Sequence, residues 1–375
     1  MSTDWQRLVR PSLRGLAPYD PGSPVTAADS PGNEDGVAKL NWNESLFAPV
    51  PGVLEAAEAE LANAWMYPDQ SYWDLRVAAA AWVGWEPEGI IPGHGIQALI
   101  STVASVFLSP GDSVIVGDPT YGLYAQVCAA LGARVKRVPC VELRLDLAEM
   151  ARAARRHQAR VVWVCDPNNP TGAVVDRDEW KEFLAGLPPG CVVVVDEAYA
   201  EYVDPERRID RTNDIAAGRP VVVLRTLSKI FGLAGLRLGY AVVAQPLAAC
   251  FDAVLEPFNV NRIALVAGRR ALEQTDEIDA RRRQTAAARG RLTEGLAAAG
   301  LRPFPSHGNF VLVDTNTDAS VLAGMLAARR ILVRPGASFG LARQLRITVA
   351  PEPLMDRVVR ELARACAELR AASAA

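Results

Sequence analysis

Short apolar runs, each followed at once by polar residues, constrain the fold of this chain more than any other feature. The runs are residues 113–117, 160–165, 191–195, 221–224 and 238–243. They are rich in β-branched residues and nearly continuous, which is typical of strands covered on both faces by helices. The amphipathic stretches that predict helices are residues 95–107, 121–131, 147–157 and 178–187. This alternation predicts an α/β fold built on a mostly parallel central sheet.

The composition of the sequence and its pattern of apolar residues change along its 375 residues, and these changes predict three parts. Residues 1–38 are rich in Pro, Gly and Asp and predict an irregular N-terminal arm. Residues 39–262 carry the alternating pattern and predict the large domain. Residues 263–375 begin with an Arg/Ala-rich helix and continue with short strands and a closing helix. They predict a smaller α+β domain, which part of the arm joins.

Composition narrows the classes of partner. The formal net charge of −3 gives no basic surface for nucleic acid. No apolar run is long enough to cross a bilayer, and no charged-then-apolar leader opens the sequence, so we expect a cytoplasmic protein. The six cysteines are scattered, which favours reduced thiols, and no residue spacing predicts a metal site.

The residues that follow the strands identify a candidate site, because ligands of open α/β sheets bind beyond the carboxyl ends of the strands. These residues are Tyr121 after the first run, Asn169 after the second, Asp196 and Tyr199 after the third, and Thr226, Ser228 and Lys229 after the fourth. Lysine is scarce, since only Lys39, Lys136, Lys181 and Lys229 occur among 40 Lys and Arg residues. A lysine retained at a strand end therefore suggests a need for a primary amine.

This set of side chains matches what pyridoxal 5'-phosphate requires. The amine of Lys229 can condense with the cofactor's aldehyde, and the carboxylate of Asp196 can keep a proton on its ring nitrogen. Asn169 and Tyr199 can donate to the ring oxygen, and Tyr121 can stack on the ring face. The phosphate can bind free backbone amides where a helix begins, with side-chain donors completing the shell. The residues predicted for this role are Gly95, Ile96, Gln97, Thr226, Ser228 and Arg237.

Five motifs, in order, resemble those of the fold-type I aminotransferases, and most closely the histidinol-phosphate aminotransferase family. The motifs are Pro119-Thr120-Tyr121-Gly122, Pro167-Asn168-Asn169-Pro170-Thr171-Gly172, Asp196-Glu197-Ala198-Tyr199, Thr226-Leu227-Ser228-Lys229 and Ala234-Gly235-Leu236-Arg237. The resemblance covers most of the chain, including the spacing from Lys229 to Arg237. It implies the fold-type I architecture, with a large domain that binds pyridoxal phosphate.

The resemblance also implies roles for residues outside these motifs. Tyr67 matches a tyrosine that reaches the phosphate from a partner subunit, which implies a homodimer. Arg346 matches the arginine that binds the substrate α-carboxylate. Arg334 and Tyr19 match positions near the substrate side chain or its phosphate. Asn43 lies in a segment that resembles the family's N-terminal active-site segment.

The chain departs from the family pattern at three places. Ile96-Gln97-Ala98 stands where the family usually has Ser-Asp-Glu or Ala-Asp-Glu, so an acidic contact is lost while the backbone amides remain. Leu46 replaces the usual proline of the N-terminal segment, and His307 is unusual for its position. These departures bear on the substrate rather than on the cofactor.

The resemblance implies a ping-pong transamination in which Lys229 is the catalytic residue. The expected substrates are a small-molecule amino donor, most closely histidinol phosphate, and 2-oxoglutarate or another 2-oxo acid acceptor. Three alternatives stay open on the sequence. They are an aromatic amino acid aminotransferase, a decarboxylase or other lyase on the same fold, and a non-catalytic cofactor-binding module of a regulator.

Overall fold

The computed structural model describes residues 4–20 and 36–374, which form two β-sheets with flanking helices. The strands are β1 Ala38–Leu40, β2 Ile90–Gly93, β3 Ser113–Asp118, β4 Arg134–Pro139, β5 Val161–Cys165, β6 Val192–Asp196, β7 Val221–Thr226, β8 Gly239–Val242, β9 Arg302–Pro303, β10 Phe310–Asp314, β11 Ile331–Pro335 and β12 Gln344–Thr348. The α-helices are α1 Val53–Leu61, α2 Trp73–Val83, α3 Ile96–Phe107, α4 Leu123–Ala130, α5 Leu147–Arg156, α6 Arg177–Ala185, α7 Thr212–Ala216, α8 Ala248–Asp252, α9 Arg262–Leu272, α10 Thr275–Ala298, α11 Ala319–Ala327 and α12 Glu352–Ala374.

The larger sheet has the strand order β2-β8-β7-β6-β5-β3-β4. The strands β3 to β7 run parallel to one another, whereas β8 is antiparallel to both β7 and β2. The chain between β7 and β8 contains only the 3-10 turn Ala234–Leu236, and this connection lacks the crossover helix that parallel neighbours need. The α/β fold with a mostly parallel sheet, expected from the sequence, is confirmed.

The edge strand β4 was not predicted, for a reason visible in its residues. Its sequence, Arg-Val-Lys-Arg-Val-Pro, contains no continuous apolar run, and Arg134, Lys136 and Arg137 lie largely in solvent. An edge strand is covered less than a central one, and charged side chains also prevent it from pairing with another chain. By contrast, every residue of β5 and β6 is buried, as the apolar runs indicated.

The predicted helices of the large domain form with small shifts at their ends. Asp146 caps α5 by accepting from the backbone N–H of Glu149, and Asp176 caps α6 by accepting from two backbone N–H groups. Within the described ranges, no helix combines the length and apolar character needed to cross a membrane.

The smaller sheet has the order β1-β11-β12-β10-β9 and its own apolar core, which includes Leu40, Val311 and Leu345. Strand β1 pairs parallel with β11, so residues 38–40 join a sheet otherwise built from the C-terminal part of the chain. Of the predicted arm, residues 1–3 and 21–35 lie outside the described residues. The domain limits 1–38, 39–262 and 263–375 stay a prediction.

Candidate active site

A cavity of about 450 Å³ opens at the carboxyl ends of β3, β5, β6 and β7. The sequence-predicted residues that line it are Tyr19, Ile96, Gln97, Tyr121, Asn169, Asp196, Tyr199, Thr226, Ser228, Lys229, Arg237, Arg334 and Arg346. Gly95 and Asn43 lie directly behind this lining, in contact with Arg237 and Tyr199 respectively. The residues that follow the strands therefore place one set of chemically active side chains in a single cavity.

Lys229 follows β7, and its amine is held by two backbone carbonyls. Nζ donates to the carbonyl of Asn43 at 2.9 Å and to that of Trp42 at 3.2 Å. Burial lowers the pKa of Lys229 to about 7, and the guanidinium groups of Arg346 and Arg237 act in the same direction, against Glu44 and Asp196. A substantial fraction of this amine is therefore neutral, and nucleophilic, near neutral pH.

Asp196 ends the buried strand β6 and is 3% exposed. Its Oδ2 accepts from the phenol of Tyr124 at 2.6 Å, and its Oδ1 accepts from the backbone N–H of Ala198 at 3.0 Å. Burial raises the pKa of Asp196 to about 6, although both hydrogen bonds favour the ionised form. A cationic ring nitrogen placed beside this carboxylate would stabilise its charge.

The acidic neighbours of Asp196 are already neutralised by arginines. Arg211 binds Asp166 and Glu197 at 2.5 Å each, and Arg225 binds the second oxygen of Glu197 at 2.6 Å. Because these carboxylates are buried and paired, Asp196 is the carboxylate in this group that remains available to a ligand in the cavity.

Tyr199 and Asn169 present polar groups on the side of the cavity beside Arg346. The phenol oxygen of Tyr199 accepts from Nδ2 of Asn43 at 3.1 Å, which leaves the phenol proton free to be donated. Oδ1 of Asn169 accepts from Arg346 at 2.5 Å, and this bond fixes the orientation of the amide so that its NH₂ group remains the donor. Both side chains therefore retain a donor, as the sequence reasoning required.

The opposite end of the cavity is suited to an anion. Helix α3 begins at Ile96, after Gly95, so its first backbone N–H groups have no partner within the helix. Gly95 has a φ of +96°, which favours glycine, and a Cβ atom there would lie 2.6 Å from the guanidinium of Arg237 and displace it. Arg237 also donates to Ser228 Oγ at 3.4 Å. Amides, hydroxyls and a guanidinium thus meet at one place, as a phosphate requires.

Two buried arginines lie side by side in the lining of the cavity. Arg334 of β11 and Arg346 of β12 are directly paired across the two strands. Arg346 donates to the carbonyl of Asn41 and to Asn169, yet among the described residues its buried Nε has no hydrogen-bond partner. Within the described ranges, Arg346 forms no salt bridge with a carboxylate, whereas Arg334 contacts the exposed Asp20 at 3.5 Å. Paired buried cations without full compensation are suited to an anionic ligand.

Gln97, one of the departures from the family pattern, has a definite contact. Its Nε2 donates to the phenol oxygen of Tyr121 at 2.9 Å. The ring of Tyr121 also meets the edges of Tyr19 and Tyr124, with centroids 5.7 and 5.4 Å away. Tyr121 is therefore held on several sides, as suits a ring that stacks on a flat ligand.

Tyr67 is the sequence-predicted residue that lies away from the cavity. It is 78% exposed and stacks on Phe258, with ring centroids 4.7 Å apart. Its assigned role requires a partner subunit, so its position in a single chain leaves that role a prediction.

The cavity is also lined by residues to which the sequence analysis assigned no individual role. They are Trp42, Glu44, Tyr124, Cys165, Ala198, Ala234, Gly235 and Phe339. One sequence signal could have identified Tyr124, because it follows Tyr121 by three residues and such pairs lie on one helix face. For Phe339 we find no comparable local signal, since the 3-10 turn Gly336–Phe339 is brought to the cavity by the small sheet.

Comparison with known proteins agrees with this geometry. The family model for aminotransferase class I and II matches residues 35–362. A histidinol-phosphate aminotransferase of Moorella thermoacetica is 35% identical over 354 residues, covering 94% of this chain and 92% of the relative. One from Symbiobacterium thermophilum is 36% identical over 360 residues, covering 96% and 99%.

Among solved structures, the histidinol-phosphate aminotransferase of Sinorhizobium meliloti in complex with pyridoxal-5'-phosphate superposes with a TM-score of 0.83. That protein is 31% identical, and the match covers 88% of this chain and 91% of the other. Both the sequence and the fold therefore point to one family. The chain belongs to the class I and II aminotransferases.

Proposed function

We propose that this enzyme uses pyridoxal phosphate to transfer the amino group of histidinol phosphate to 2-oxoglutarate. The observation that carries the proposal is the buried Lys229 amine in one cavity with the Asp196 carboxylate and an anion-binding helix start. The names of the relatives from Moorella, Symbiobacterium and Sinorhizobium support the choice of substrate.

The residues in the cavity fit this cofactor. Bound pyridoxal phosphate supplies an electron sink for the charge that develops at the substrate α-carbon. Asp196 would keep the ring nitrogen protonated, Tyr121 would cover the ring face, and Asn169 and Tyr199 would donate to the ring oxygen. The residues that would hold the phosphate are Gly95, Ile96, Gln97, Thr226, Ser228 and Arg237, joined by Tyr67 of the partner subunit.

Lys229 would act twice, first as the amine that holds the cofactor and then as the base. Its neutral amine would take the proton from the substrate α-carbon, hold it, and donate it again to complete the transfer. The lowered pKa suits this task, since a base works best when its pKa lies near the working pH. The carbonyls of Trp42 and Asn43 would orient the amine between these steps.

The paired arginines would bind the anionic groups of the two substrates. We assign the α-carboxylate of glutamate to Arg346, whose buried Nε has no partner in the described part of the chain. Asn43, which donates to Tyr199, would also take part in substrate binding. Histidinol phosphate has no carboxylate, so we assign its phosphate to Arg334, with Tyr19 beside it. Arg334 would have to exchange its contacts with Asp20 for the substrate.

Replacing Arg334 tests the choice of substrate. Arg334→Gln is expected to lower kcat/KM for histidinol phosphate about 10²-fold, because a charge-assisted contact to the phosphate is lost. The kcat/KM for phenylalanine, which has no phosphate, should change no more than a few-fold. Steady-state assays with each donor and 2-oxoglutarate measure both values. An equal loss for both donors would contradict the assignment.

Aromatic amino acids are the second candidate, because Tyr19, Tyr121 and Phe339 surround the substrate end with rings. A wild-type enzyme that prefers phenylalanine to histidinol phosphate would favour this candidate. A lyase with the same fold would release carbon dioxide, or another fragment, without forming glutamate from 2-oxoglutarate. Analysis of the products distinguishes it from an aminotransferase.

We further propose that the enzyme is a homodimer. Exposed large apolar side chains are frequent in residues 54–77, where Trp65 and Tyr67 are 82% and 78% exposed. Such exposure is unusual for a surface that stays in water and favours a protein interface. In a symmetric dimer, each subunit could offer Tyr67 to the other's cavity.

Hybrid dimers test whether Tyr67 acts across the interface. Lys229→Ala and Tyr67→Ala chains, mixed and reassembled, are expected to regain about a quarter of wild-type activity, because half of the dimers would contain one intact site. The same variants assayed separately provide the baseline. Mixtures no more active than the average of the separate variants would show that Tyr67 does not act in this way.

A further inference from the structure

Tyr124 is a fully buried tyrosine that has no part in the proposed reaction so far. It lies on α4, one turn after Tyr121, and its phenol donates to Oδ2 of Asp196 at 2.6 Å. Hydrogen bonds from hydroxyl groups to carboxylates at this distance are short and strong. Packing of the ring alone does not require the phenol to donate a hydrogen bond to this carboxylate.

The ring of Tyr124 is fixed by aromatic contacts on two sides. It stacks on Trp163 of β5, with centroids 5.0 Å apart and ring planes 9° from parallel. It also meets Tyr121 edge to face. Strand β5 lies beside β6, where Cys165 pairs with Asp196, so Trp163 and the carboxylate belong to the same rigid part of the sheet. The phenol therefore cannot turn away from Asp196 without disturbing the core.

We propose that Tyr124 is a positioning residue that holds the Asp196 carboxylate in place, and in its ionised form, for the ring nitrogen of the cofactor. The inference rests on the proposed function. Each oxygen of Asp196 accepts one bond from the protein, from Tyr124 on one side and from Ala198 on the other. A carboxylate has about four acceptor sites, so these two bonds orient the group and still leave room for a ring N–H.

Other titratable groups also act on Asp196, and the test must separate them from Tyr124. They are Lys229 after β7, Glu197 and Tyr199 after β6, Cys165 on β5 and Tyr121 before α4. A Tyr124→Phe variant keeps all of these side chains and the stacked ring and removes only the hydroxyl, which also contacts Cys165. Tyr240→Phe is a matched control, because the buried Tyr240 hydroxyl has no hydrogen-bond partner within the described ranges.

The test is a pH titration of the Asp196 carboxyl carbon by NMR in the cofactor-free protein labelled with ¹³C-aspartate. Loss of one resonance in Asp196→Asn assigns the signal. We expect Tyr124→Phe to raise the midpoint by about one to two pH units, because the ionised form loses a strong donor. Tyr240→Phe should leave the midpoint at its wild-type value.

Cofactor binding gives a second, independent readout. At pH 7, Tyr124→Phe should bind pyridoxal phosphate about tenfold more weakly than wild type, since Asp196 then carries a proton more often. At pH 9, where Asp196 is ionised in both proteins, most of this difference should disappear. Fluorescence titration measures both affinities, and a purely structural defect would not recover with pH.

An unchanged Asp196 midpoint in folded Tyr124→Phe would overturn the inference. If the variant does not fold, wild-type protein labelled with ¹³C-tyrosine gives the answer, because the phenol carbon of Tyr124 should titrate with the midpoint of Asp196. A phenol signal insensitive to that titration would also overturn the inference. Failure of the wild-type protein to bind pyridoxal phosphate would instead refute the proposed function.

Discussion

Lys229→Ala is expected to abolish turnover, with a fall in kcat of at least about 10⁴-fold, because one amine both holds the cofactor and moves the proton. The visible absorption of the covalently bound cofactor should disappear at the same time. Reduction of the wild-type protein with borohydride, followed by peptide mapping, should locate the modified lysine at Lys229. Retained turnover in the variant would refute the assignment.

Lys229→Arg tests whether the site needs the amine or only its positive charge, and Lys181→Ala serves as a control. Lys229→Arg keeps a cation in the cavity but cannot condense with an aldehyde, so it should be as inactive as Lys229→Ala. Lys181→Ala removes an exposed amine that pairs with the exposed Asp178, and its activity should equal that of wild type. A Lys229→Arg enzyme with substantial activity would indicate that the site needs the charge rather than the amine.

The second large effect is expected at Asp196. Asp196→Asn should lower kcat about 10³-fold while the cofactor remains attached to Lys229, because a neutral amide cannot stabilise a protonated ring nitrogen. Rapid mixing with glutamate should show that the slow step is loss of the α-proton. The measured deuterium isotope effect on α-deuterated glutamate should therefore be larger in the variant than in wild type.

A neighbour of Asp196 supplies the control. Cys165 pairs with Asp196 in the register of β5 and β6 and also borders the cavity. Cys165→Ala makes a comparable small change in the same place without removing the carboxylate, and we expect a kcat within a few-fold of wild type. Normal turnover in Asp196→Asn would show that the ring-nitrogen assignment is wrong.

The sequence predicts the sheet well, and it also predicts which strand-end residues line the cavity, because both depend on local patterns. A buried parallel strand must be almost wholly apolar, and its polar residues are displaced to its end, where Asp196 and Lys229 lie. Such a pattern can be recognised without knowing which strands are neighbours. The residues that follow the four strands therefore meet in the cavity as expected.

Contacts between distant parts of the chain could not be predicted in this way. Arg334 and Arg346 face each other only through the register of β11 and β12, which a single sequence does not specify. The bond from Gln97 to Tyr121 joins a helix start to the end of another strand. Likewise, Phe339 reaches the cavity because the small sheet packs near it, and no local pattern encodes that approach.

The first half-reaction of the holoenzyme with glutamate, followed by absorbance, is the most direct test of transamination. We expect the visible band to disappear, one 2-oxoglutarate to form per active site, and the band to return when 2-oxoglutarate is added back. The same cycle with histidinol phosphate should proceed in wild type and fail in Lys229→Ala. A visible band that no amino donor changes, or that changes with release of carbon dioxide and no oxo acid, would contradict transamination at this site.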